Sequence, residues 1–142
     1  MLDMQHPTLH VEVHTHYLPH QSSPAHNQYR FAYHIRIRNQ GPHAAQIIAR
    51  HWWIEDGQGR VEQVRGLGIV GEQPLIEAGE SHEYVSGCAL PTPQGHMRGH
   101  FVCVTDEGDV FECQVAPFYF DTAQLGGAGT IHNPSANTRV LH

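Results

Sequence analysis

The sequence contains no lysine, so its eight fixed basic side chains are all arginines, set against 14 acidic residues for a formal charge of −6. Nucleic-acid surfaces draw on Lys and Arg to neutralise phosphates, so a nucleic-acid partner is not expected. Without lysine a G-x-x-x-x-G-K-S/T phosphate loop is excluded as well. Three cysteines, Cys88, Cys103 and Cys113, are too few and too odd in number for a secreted disulfide scaffold. No stretch approaches about 18 uninterrupted apolar residues, so no membrane insertion is expected. The start, "MLDMQHPTLH", has no basic region leading into an apolar run, and a cytoplasmic location is the expectation. Long helical periodicity is missing too.

What the chain has in quantity is histidine, 14 in 142 residues. These titrate near ~6.5 when unperturbed, so mild acid moves the net charge towards zero or above. The length fits one domain. Composition sets residues 9–124 apart as that domain, with 1–8 and 125–142 expected to be flexible tails.

Period-two alternation dominates. In "LHVEVHTHY", Leu9, Val11, Val13, Thr15 and Tyr17 face one way, and His10, Glu12, His14 and His16 the other. In "YRFAYHIRIRN", Phe31, Tyr33, Ile35 and Ile37 point inward and Arg30, His34, Arg36 and Arg38 outward. "AAQIIARHWWIED" is a further strand, too continuous at its centre to assign a facing, and "DGQGR" turns it into "VEQV". A turn at Ala78–Gly79 precedes a strand from about His82, and "TPQGHM" reads as a loop. "RGHFVCVTDEGDVFECQV" reads as a hairpin in which residues summing to 216 lie opposite, with Gly108 in its odd-numbered loop and Cys103 across from Cys113. An inward apolar face and a reducing compartment favour buried thiols there. "APFYFDTAQL" can add a last strand. About seven strands between Gly and Pro turns predict an all-β fold, an antiparallel two-sheet sandwich; strand count alone leaves barrel closure open.

"RGLGIVGEQP" contains a G-x-G-x-x-G at Gly66, Gly68 and Gly71. A dinucleotide fingerprint needs a helix after the glycines to face the pyrophosphate, and Pro74 with the Gly79 turn leaves no room for one. Two readings remain. The glycines shape a bent strand edge, or consecutive amides there, with Arg65 and Gln73, cradle an anion.

This segment also resembles the signature of the ApaG family. The resemblance extends through "SSP" at 22–24, "FAYHIRIRN" at 31–39, "ARHWWI" at 49–54, "AGESHEYVSG" at 78–87 and "TPQGHMRGHF" at 92–101, covering roughly residues 9 to 120. It implies an immunoglobulin-like or fibronectin type III-like sandwich. It further implies a genetic association with cobalt resistance and magnesium efflux, and a gene neighbourhood shared with a diadenosine-tetraphosphate hydrolase. Related domains in eukaryotic F-box and polymerase-associated proteins imply protein binding. No active site carries over, and "DTAQLGGAGTIHNPSANTRVLH" is longer and richer in glycine than the family pattern.

Outside the glycines, candidate sites are few. His14 and His16 share a strand face about 7 Å apart with His10 and Glu12 beside them, a weak set of ligands for cobalt, nickel or zinc. His96 and His100 would stand about 13 Å apart, too far to chelate one ion together. Asp106, Glu107 and Asp109 crowd a turn. Adjacent Trp52 and Trp53 point to opposite faces, so one fills the core while Trp53, with Met97 and Arg98, offers an interaction surface. The functional expectation is a non-enzymatic protein-binding or regulatory module without a cofactor. Its partner is an unidentified protein, with a weak phosphate or nucleotide ligand or a histidine-bound divalent metal as alternatives.

Overall fold

Alternating polar and apolar residues organise nearly all of the protein, because a strand with one wet and one buried face is the conformation that alternation suits. The computed structural model describes residues 9–124; the tails expected at 1–8 and 125–142 lie outside the described residues. Eight strands follow in order: β1 (Leu9–Tyr17), β2 (Tyr29–Asn39), β3 (Ala45–Asp56), β4 (Val61–Leu67), β5 (Leu75–Ile76), β6 (Ser81–Leu90), β7 (Gln94–Thr105) and β8 (Val110–Asp121). Two short 3-10 turns, Pro19–Gln21 and Pro24–His26, occupy the β1–β2 connection. Among the described residues no helix is long and apolar enough to cross a membrane.

The strands form two antiparallel sheets, β1-β2-β6 and β4-β3-β7-β8, with β5 beside β4 on the same edge of β3. They pack face to face as an immunoglobulin-like sandwich. Phe31, Ile35 and Ile37 from the first sheet meet Ile47, Trp52, Phe101, Phe118 and Phe120 from the second, all essentially buried. Ring contacts such as Phe31–Phe120, with centroids 5.0 Å apart, tie the two layers. On one side β1 is clasped to β8 by the Thr15 hydroxyl, which donates to the Tyr119 carbonyl at 3.0 Å.

Two bulges re-aim side chains. In β3, Ile47 opposes Cys103 and Ala49 opposes Val102, so Ile48 is an extra residue. Before it, odd-numbered Ala45 and Ile47 are buried; after it, even-numbered Arg50, Trp52 and Ile54 share the inward side. The second bulge lies in β8, where Ala116 and Pro117 together face Arg98. Pro117 has no N–H to lose from the ladder there. "APFYFDTAQL" is therefore a continuation of β8 and not a separate strand.

Three further expectations change. The hairpin pairs Phe101 with Cys113 and Cys103 with Phe111, a sum of 214, two residues from the expected register. A shift of two keeps the same faces inward, so Cys103 and Cys113 stay buried as free thiols on adjacent strands without standing directly opposite. Most of the expected loop at 92–97 belongs to β7, which begins at Gln94. Finally, His34 on the outer face of β2 is 8% exposed. Its ring stacks on His14, and its Nε2 meets the Glu83 carboxylate at 3.0 Å.

Candidate functional site

The glycine segment is anchored to the bulge in β3. The Gly68 amide donates to the Ile48 carbonyl at 2.6 Å, and the Gln73 side-chain amide donates to the same oxygen at 3.0 Å. Between them Ile69 and Glu72 exchange both backbone hydrogen bonds, at 2.8 and 3.0 Å, across a two-residue turn. Its central residues, Val70 and Gly71, have φ of +48° and +79°, the signs of a type I′ turn. A β-branched residue rarely takes a positive φ. This geometry bears directly on the phosphate-nest reading. The amides of Gly68, Ile69 and Glu72 are already donated within the protein, so the segment does not present a continuous cradle of free N–H groups.

Beneath the segment lies Arg50, carried inward by the bulge. Its Nη1 donates to the carbonyls of Leu67 and Gly68, each at 3.0 Å. Gly66 is directly opposite in register, and a Cβ there would press on the guanidinium at 2.8 Å. The absent side chain of Gly66 is thus the space Arg50 occupies. No carboxylate pairs with Arg50 among the described residues.

Facing Arg50 across the sandwich are Tyr33 of β2 and Tyr84 and Ser86 of β6, whose alternation turns them inward. With Trp52 and the Ile69–Gly71 turn they line a cleft of about 440 Å³ on the side away from the β1–β8 clasp. Burial pushes the Tyr84 phenol well above its usual range, neighbouring Tyr33 adds to this, and the Arg50 charge opposes it. Burial likewise raises Tyr33, against the opposing effects of Ser86 and Arg50. Both phenols are neutral donors at physiological pH. The Tyr84 hydroxyl is buried with no hydrogen-bond partner among the described residues.

The other sequence-derived residues fall elsewhere. Arg65 is exposed on β4, opposite His51. Trp53 is half-buried on the outer face, stacked on His51 at 3.8 Å with His100 at 5.9 Å. Arg98 stands opposite Trp53 and reaches His96 at 3.2 Å and Glu55 at 3.5 Å. Met97 is 1% exposed. Its alternation with Phe101 places it in the core, which removes it from the expected interaction surface. His10 pairs with Glu12 at 3.6 Å, and His14 stacks on His34. His16 has its pKa lowered, first by burial and then by His14 and His34. No three potential metal ligands converge at these positions among the described residues.

Fold and site define a small β-sandwich with an arginine-bearing cleft between its sheets, roofed by a glycine-built hairpin. Residues 19–105 match the ApaG domain family model, and the chain belongs to that family. It is 56% identical over 108 residues to Protein ApaG of Bordetella pertussis, covering 76% of this chain and 82% of that protein. It is 46% identical over 132 residues to Protein ApaG of Acidovorax sp. strain JS42, covering 93% of both. A crystal structure of an ApaA protein from Bordetella pertussis superposes with a TM-score of 0.78 at 54% identity, over 80% of this chain and 92% of that one.

Proposed function

We propose that the protein is a non-enzymatic recognition module that seats a protein partner on the rim of the Arg50 cleft, within a pathway touching divalent-cation homeostasis. The observation that carries this reading is the exposure of apolar side chains around the segment that forms that rim: Val70, which lines the cleft, is 46% exposed, and Leu67 at 74% and Leu75 at 55% flank it on the outer face of the sheet. Leu67 and Leu75 end the two strands that pair with β3 on either side of the bulge, and Val70 projects from the turn between them. Arg65 adds an exposed charge with no acidic partner among the described residues. Apolar anchors beside unneutralised arginines suit a partner surface that offers both apolar and acidic side chains.

The chemistry of the cleft supports recognition over catalysis. Its ionisable lining is an arginine and two phenols that burial keeps protonated. Such a set supplies neither a general base nor an activated nucleophile at neutral pH. A nucleotide reading draws less support, because the amides of Gly68, Ile69 and Glu72 donate within the protein and break up any continuous cradle for phosphates. The link to cation homeostasis rests on the family resemblance alone.

The test uses the intact chain as bait with Leu67→Ser and Leu75→Ser variants, and Tyr119→Ser as a control at an exposed site on β8 (62% exposed). Capture of one protein, lost in both rim variants and kept in the control at unchanged stability, is the expected result. Capture indifferent to the rim would sink the reading. In a bacterial host lacking its own relative, the rim variants should likewise fail to restore cobalt tolerance that the parent chain restores.

A further inference from the structure

Apolar contact at the rim does not by itself call for a cation held between the sheets, yet Arg50 is held there firmly. Nη1 spends both of its protons on the Leu67 and Gly68 carbonyls. Its Nε and Nη2 have no acceptor among the described residues. Those two groups form one edge of the guanidinium, with parallel N–H bonds spaced to meet both oxygens of a carboxylate. Fixing the guanidinium in advance lowers the ordering cost of such a contact.

The surroundings narrow the ligand class. Tyr84 also lines the cleft, and its buried hydroxyl has no partner among the described residues. A buried donor without an acceptor is costly to keep. Trp52 contributes an aromatic wall. A phosphate group would call for more donors than one guanidinium edge and a phenol, and of the nearby turn amides those of Gly68, Ile69 and Glu72 are already donated within the protein. A planar, singly charged group on an organic body fits this donor set and these walls.

The geometry points to a carboxylate-binding site in the cleft, in which the free edge of Arg50 takes both oxygens and the Tyr84 hydroxyl donates a further bond. The carboxylate can belong to a free organic acid or to the C-terminus or an acidic side chain of a bound polypeptide. Only the second source rests on the recognition-module reading.

The experiment titrates the isotopically labelled full chain with four probes: benzoate, a short peptide with a free C-terminal carboxylate, the same peptide amidated, and inorganic pyrophosphate. The expected result is saturable shifts of the Arg50 Nε signal and the Gly68–Gly71 amides with benzoate and the free-acid peptide, and none with the amide. A tighter free-acid peptide assigns the carboxylate to a partner chain, and a tighter benzoate assigns it to a small acid. Because Arg50→Gln also removes a brace of the hairpin, Tyr84→Phe is the decisive variant. It deletes an unpartnered hydroxyl, so melting temperature should hold or rise while carboxylate affinity drops about tenfold. Gly66→Ala, which crowds the guanidinium, should weaken binding as well. The inference is overturned if no carboxylate saturates these signals, if Tyr84→Phe binds as tightly as the parent, or if pyrophosphate alone binds. Benzoate binding that survives Leu67→Ser, with partner capture lost, would separate the cleft from the rim.

Discussion

Replacing Gly68 and Gly71 separately by alanine divides a conformational cost from a steric one within the same short segment. Both have left-handed φ, +65° and +79°. An L-residue there costs roughly 1–2 kcal/mol. Around Gly71 nothing lies within 4 Å of where a Cβ would stand, so Gly71→Ala should cost that conformational penalty and little else, about 1 kcal/mol. At Gly68 the added methyl would overlap the Glu72 carbonyl. That oxygen accepts the Ile69 amide at 2.8 Å, and Gly68 itself is bonded to Ile48 at 2.6 Å. Relief therefore strains or breaks one of the bonds that dock the hairpin on the β3 bulge, adding roughly 1–3 kcal/mol. Gly68→Ala should thus cost about 2–5 kcal/mol in total. Urea unfolding followed by tryptophan fluorescence measures both, since Trp52 is 2% exposed. The midpoints should separate clearly at a common slope. Costs within about 0.5 kcal/mol of each other, or a greater cost at Gly71, would refute the docking of the hairpin described above.

Other consequences follow from the same geometry. Val70→Asn relieves a β-branched residue at φ +48° and should raise stability by about 0.5–1 kcal/mol, whereas Val70→Thr, still β-branched, should give no gain; equal melting temperatures for the two would count against a left-handed Val70. Asn39 is fully buried, and its side chain donates to the His43 and Ile76 carbonyls and accepts from the Gly41 amide. At about 1 kcal/mol per bond, Asn39→Ala should cost about 3 kcal/mol in urea unfolding. Burial raises the Cys113 thiol from 9.0 to about 11. The native state then holds this proton more tightly than the unfolded chain, so stability is full below pH 9.0 and falls as pH rises through about 11. Between about pH 8 and about pH 10 this thiol should contribute a loss of about 1 kcal/mol, and because burial raises Cys88 and Cys103 as well, Cys113→Ala should lessen that part of the slope by about a third.

The outward character of the fold was written in alternation, and the cleft was hidden where alternation breaks. Strands β1, β2 and β6 keep a strict period of two. Leu9, Phe31, Tyr33, Ile35 and Ile37 therefore declare the inner face of the first sheet directly. β3 does not keep it: Ile48 inserts one residue, and every side chain after it changes sides. That is why "AAQIIARHWWIED" has no single facing. It is also why Arg50, which would read as a solvated charge if Ile47 set the parity, stands beside Trp52 on the buried side.

A local signal for this exists. Arg50 and Trp52 are two apart, and Trp52 and Ile54 are apolar enough to claim the core, so their parity alone turns Arg50 inward. Met97 carries the complementary lesson. It shares parity with buried Phe101 and Cys103, but Pro93 and Gly95 make "TPQGHM" read as a loop, and a loop residue invites a surface role. Gly95 instead lies where the β3 backbone comes close, opposite Asp56 in the sheet.

The glycine signature was conspicuous for a reason unlike the one its spacing suggests. Gly66 makes room for a guanidinium, Gly68 for a carbonyl, and Gly71 completes a left-handed turn. Only the register between β3 and β4 reveals that the first of these faces Arg50. A pairing partner is a property of two segments and a turn, so no motif confined to one segment can state it. The same limit applies to Tyr84 and Ser86, which reach the cleft from a strand in the other sheet, and whose place beside Arg50 exists only once the two sheets are packed.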